Sequence, residues 1–117
     1  MIHTWRTQWP FFMVLFLLGT TVHAENIDSL LLEVEKAEED TNKVITLHTI
    51  AKKYLSTGNY QNAVATFTKE INLANQLGYK AAIPNANNGI GIAYMHQGDF
   101  NKALPTYLAA AKAALEI

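Results

Sequence analysis

The 117-residue chain contains no cysteine, which excludes disulfides, thiolate metal sites, a cysteine nucleophile and a lipidated cysteine. Arginine occurs once, at Arg6, and nine basic residues stand against ten acidic ones. No basic face or stripe of the kind that nucleic acid demands is present, so no nucleic-acid partner is expected. A long hydrophobic run is missing too. The apolar stretch from Phe11 to Leu18 is far shorter than the ~20 residues of a spanning helix, and Arg6, Gln8 and Pro10 interrupt its approach. With half of the residues apolar, the composition argues against disorder and allows one domain at most.

That apolar stretch does have a use. A weakly basic start at Arg6, the run Phe11–Leu18 and the small residues of Val22-His23-Ala24-Glu25 make a secretory signal peptide over residues 1–24, with cleavage after Ala24. Its removal takes away the single arginine and leaves eight lysines against ten acids. The expected location is exported, hence periplasmic or secreted in a bacterial source, with membrane association only where the signal stays uncleaved.

Sites for chemistry are equally scarce. Asn88-Gly89-Ile90-Gly91 lacks the third glycine and the preceding strand of a phosphate-binding fingerprint, and Gly91 is explained by close helix packing. His48 and His96 lie forty-eight positions apart with no third ligand at motif spacing, so neither a metal nor another cofactor is expected, and both read as exposed groove residues. The acids cluster between Glu33 and Asp40 as a charged helix face and turn, and no nucleophile–base constellation converges. The chain is expected not to be an enzyme.

What the sequence does contain is a repeat. Tyr54-Leu55-Ser56-Thr57-Gly58-Asn59-Tyr60-Gln61-Asn62-Ala63 recurs forty residues later as Tyr94-Met95-His96-Gln97-Gly98-Asp99-Phe100-Asn101-Lys102-Ala103. A period between 20 and 50 residues marks a stacked array whose units cannot bury their apolar faces alone. Apolar residues at helical spacing predict an opening helix over about 27–38 (Ile27, Leu30, Leu31, Val34), with Asn26 as its cap and Asp40 or Thr41 as the next. A helix pair follows over 43–78, with glycine stops at Gly58 and Gly78. A second pair carries Ile83, Ala86, Ile90, Ala93 and Tyr94, a stop at Gly98, then Phe100, Ala103, Leu104, Tyr107, Leu108 and Ala111. Pro84 belongs in a first turn, where its missing N–H costs nothing, while Pro105 predicts a kink or a tightened start.

The series Leu47, Ile50, Ala51, Tyr54, Gly58, Tyr60, Ala63, Phe67 and its echo Ile90, Gly91, Tyr94, Gly98, Phe100, Ala103, Tyr107, Ala110 resembles the tetratricopeptide repeat, in a variant with a period longer than usual. The resemblance implies an all-α, right-handed superhelical array of five helices after the signal peptide: 25–42 as opening helix and turn, and 43–117 as two helix pairs. It also implies a non-catalytic protein-interaction module. Glu70 departs from the pattern, because its position usually holds a small residue, and a carboxylate there implies either a locally looser interface or a buried polar contact that needs a partner. Ala109 to Ile117 stop inside a helix without a polar capping face, which suggests a truncated last pair and self-association through Leu104, Leu108, Leu115 and Ile117.

In this family the inner surface is lined by the first helix of each pair. That carries over to Ile45, His48, Thr49, Lys52, Leu55 and Ser56 in one repeat and to Asn85, Asn88, Ile92, Met95 and His96, with Gly89, in the next. Such a surface suits a protein or peptide ligand, extended or helical. The family's carboxylate clamp is largely missing, because Lys52 has no supporting set of basic and amide residues. The combination of signal peptide and long repeats also resembles the exported sensor regions of bacterial signalling proteins. The alternative expectation is therefore a truncated sensory region of a histidine kinase or cyclase type, without its output domain.

Overall fold

In the computed structural model, residues 26–117 are described, and the expected signal peptide over 1–24 lies outside them. Five α-helices follow one another: α1 Ile27–Lys36, α2 Thr41–Ser56, α3 Tyr60–Leu77, α4 Ile83–His96 and α5 Phe100–Leu115, with a 3-10 turn, Lys80–Ala82, ahead of α4. Each packs on its neighbour in sequence, and α2 also touches α4. The result is the all-α array of antiparallel pairs that the repeat requires.

The helix ends explain the chain's segmentation. The Asp40 carboxylate accepts a bond from the Lys43 backbone N–H at 3.1 Å, which starts α2 at Thr41, two residues before the expected boundary. Asn59 and Asp99 cap α3 and α5 in the same way, accepting from the N–H of Asn62 and Lys102. Between the helices of each pair, Gly58 and Gly98 take φ of +79° and +75°. The following N–H groups, of Asn59 and Asp99, then reach back to the Tyr54 and Tyr94 carbonyls, both at 2.9 Å. A left-handed residue is what turns the chain back at this point, and glycine adopts it without a Cβ penalty. Both turns are thus built alike, from Tyr54, Gly58 and Asn59 in one pair and Tyr94, Gly98 and Asp99 in the other.

α4 begins differently. No side chain caps it; the 3-10 turn feeds it directly, and buried Pro84 occupies the first turn, where no N–H is needed. Pro105 lies inside α5, which stays helical from Phe100 to Leu115. The opening helix α1 ends at Lys36 rather than near residue 38, and only Leu30 of its stripe is buried, with Leu31 left exposed.

Two apolar clusters hold the array. One joins Ala51, Ala63, Phe67, Ala86 and Ile90, with Tyr54, Leu55, Val64, Ile71 and Tyr94 around them. The other joins Val44, Leu47, Leu73 and Ala74, with Val34 of α1 and Tyr79, Ala82 and Ile83 of the connection against them. Small residues set how close the helices come. A Cβ added at Gly91 would lie 2.7 Å from Cε1 of Tyr107, so the α4–α5 contact depends on that hydrogen. Leu104, Leu108, Leu115 and Ile117 remain exposed at the outer side of α5.

Replacement of Gly91 by leucine should therefore overpack the α4–α5 seam and cost about 1–3 kcal/mol or more. Thermal denaturation followed by circular dichroism checks this, and an unchanged melting curve would contradict the packing described.

Candidate peptide-binding groove

The groove lies between α2 and α4, with α3 beneath it. An open cleft of about 300 Å³ is lined by His48, Lys52 and Leu55 of α2, Phe67 of α3, and Asn85, Asn88, Gly89 and Ile92 of α4. A smaller one of about 160 Å³ opens on its flank, between Val44, Ile45, His48, Glu70, Tyr79 and Asn85 among others. A third, along α2, is lined by His48, Thr49, Lys52, Lys53 and Ser56. His48 borders all three.

Nine of the residues expected on the inner surface are thus brought around His48: Ile45, Thr49, Lys52, Leu55, Ser56, Asn85, Asn88, Ile92 and His48 itself. Met95 and His96 line none of these clefts. His96 stacks flat on Tyr60, with ring centroids 5.2 Å apart and planes within 2°, at the turn end of the helices. Leu55 divides its side chain between the cleft and the first core cluster.

His48 is more than an exposed groove residue. Its Nδ1 lies 3.1 Å from both carboxylate oxygens of Glu70, a residue only 1% exposed. A carboxylate is an acceptor only, so the hydrogen between them sits on Nδ1. The pair is the buried polar contact, the second of the two expectations for Glu70, and no buried side-chain N or O among the described residues lacks a hydrogen bond. The imidazole also meets Phe67 edge to face, with centroids 5.6 Å apart and an interplanar angle of 64°. Phe67 in turn fills the space above Gly89, where a Cβ would overlap its ring.

Glu70 and Phe67 are the site residues that the inner-surface pattern missed. Phe67 reads as core from its spacing, and it is core; only its ring edge reaches the groove. A signal for Glu70 existed in the repeat itself. The forty-residue offset sets Glu70 against Ala110 and His48 against Asn88, so both members of the pair change together between the units.

Among the described residues no group of three or more His, Cys, Asp or Glu side chains could hold a metal ion. The groove can offer one cation, Lys52, two amides, Asn85 and Asn88, one imidazole edge, and apolar contacts from Leu55 and Ile92.

Residues 84–116 match the sequence model of the tetratricopeptide repeat. The second helix pair is a tetratricopeptide repeat. The match spans α4 and α5 almost end to end, and the first pair, α2 and α3, reproduces its turn and the cap of its second helix at the forty-residue offset. No curated protein and no solved structure matches the chain.

Truncating His48 to alanine should destabilise the fold by about 1–3 kcal/mol, because it strands a buried carboxylate. Adding Glu70→Ala to that variant should recover most of the loss. Urea denaturation of the single and double variants measures the coupling, and additive losses would refute the pairing.

Proposed function

We propose that this chain is a non-catalytic peptide-binding module whose ligand lies along the α2–α4 groove. Tetratricopeptide repeats generally mediate protein–protein binding, and the match over residues 84–116 brings that class of role to this chain. The observation that carries the site is the single cleft that gathers Lys52, Leu55, Asn85, Asn88 and Ile92. Amides and one ammonium can meet main-chain and side-chain acceptors of a peptide, while the two aliphatic residues cover its apolar side. The groove is mixed in character, which suits a peptide better than a strongly charged tail.

Peptides selected from a random displayed library on the 117-residue chain provide the test. The combined substitution of Lys52, Asn85 and Asn88 by alanine should weaken those peptides about tenfold or more, the loss of roughly 1.4 kcal/mol, with the melting temperature unchanged. Undiminished binding would place the ligand elsewhere.

We further infer that the module works outside the cytoplasm. Support comes from the order of Arg6, the Phe11–Leu18 run and Val22-His23-Ala24 in the sequence. Expression in a bacterial host should yield an exported product whose N-terminal residue is Glu25; a cytosolic product that retains Met1 would contradict it. An exported peptide-binding module is also compatible with a sensory role upstream of a kinase or cyclase output.

A further inference from the structure

The pair Glu70–His48 is a polar feature that the second repeat does without. The second repeat builds the same helix pair with Ala110 and Asn88 at the equivalent positions, and Ala110 is buried just as Glu70 is. A buried carboxylate carries a desolvation cost that an alanine does not. Stability therefore gives no reason for the acid, while the wall of the groove does. Departures from local packing rules that a fold can do without concentrate at functional sites.

The geometry around His48 says what the pair accomplishes. Nδ1 points inward to Glu70 at 3.1 Å, and the ring is held from the side by Phe67. The His48 side chain nevertheless keeps 31% of its surface exposed. Its other nitrogen, Nε2, makes no hydrogen bond among the described residues, where every buried side-chain N and O has a partner. In the neutral imidazole, with the hydrogen held on Nδ1, Nε2 carries the lone pair, and His48 lines the cleft. Of the other polar groups of that cleft, the Lys52 ammonium supplies donors only, and the Asn85 and Asn88 amides supply both donors and acceptors.

We propose that Glu70 is a positioning residue that fixes His48 as a hydrogen-bond acceptor, so that the groove selects peptides bearing a side chain that both donates and accepts. A hydroxyl or a carboxamide does this: its hydrogen goes to Nε2 and its oxygen accepts from Lys52 or an asparagine amide. Alanine offers neither group, and the Lys52 ammonium repels a lysine or arginine. The proposal rests on the groove reading above and names what that groove prefers.

Long-range proton–nitrogen correlation spectra of the imidazoles in the 117-residue chain, at neutral pH, read the tautomer directly. His48 is expected with its proton on Nδ1. Glu70→Ala, which installs the residue that the second repeat already carries, should move that proton toward Nε2. Titration with the peptides Ac-Ala-Ala-Xaa-Ala-Ala-amide, where Xaa is serine, glutamine, alanine or lysine, then tests the consequence. The serine and glutamine peptides should bind about threefold or more tightly than the other two, the worth of one net hydrogen bond. In Glu70→Ala the preference should vanish. The double variant His48→Leu with Glu70→Ala removes the acceptor together with the acid, guards against a stranded carboxylate, and should show no preference either.

A wild-type His48 that carries a proton on Nε2, whether as the other tautomer or as the imidazolium, or a preference that survives both variants, overturns the proposal. Equal binding of all four peptides, lost on substitution of Lys52, Asn85 and Asn88, overturns it while the groove reading stands. No binding of any peptide overturns both.

Discussion

Phe67 is where the core of the array becomes the wall of its groove. The ring is almost wholly buried, and it reaches three elements at once: the first apolar cluster through Ala51, Ala63 and Ile90, the Gly89 backbone of α4, and the edge of His48 on α2. Dense packing leaves such a ring little freedom. The spacing of α2 and α4 over α3 is therefore set by the size of one aromatic side chain against one missing Cβ. The same device recurs one repeat later, where Tyr107 fills the space at Gly91.

Much of this was legible in the chain. The pairs Gly58–Asn59 and Gly98–Asp99 signal helix stops and caps whose chemistry is local, and the apolar periodicity of Leu47 to Leu55 or Ile90 to Tyr94 is local too. Boundaries drifted where capping had a choice: Asp40 rather than Thr41 took the lysine N–H, and α2 began at Thr41. Most of the residues expected on the inner surface border the clefts around His48, whereas nothing in the order of residues says that His96 will stack on Tyr60. The bond from His48 to Glu70 spans twenty-two positions. Its length is a tertiary fact, visible in the sequence only as an acid where a small residue belongs.

The two repeats are alike in scaffold and unlike in surface. Turn glycines, cap residues and the close-contact positions Ala63 and Ala103 are shared, whereas the groove positions differ: an imidazole and an ammonium on α2, amides and a glycine on α4. Repetition thus secures the backbone, and chemistry is distributed by substituting the residues that face the cleft. An array built this way can change its ligand without renegotiating its fold.

The Glu70–His48 pair has an order of arrival written into its energetics. Starting from a unit like the second, with Asn88 and Ala110, a carboxylate acquired first would sit buried with no imidazole to donate to it, at the full cost of a stranded group. A histidine acquired first only exchanges one groove-facing polar side chain for another, at a partly exposed position. The open evolutionary path runs through histidine and then glutamate, and once both are present the histidine cannot revert alone without stranding the acid.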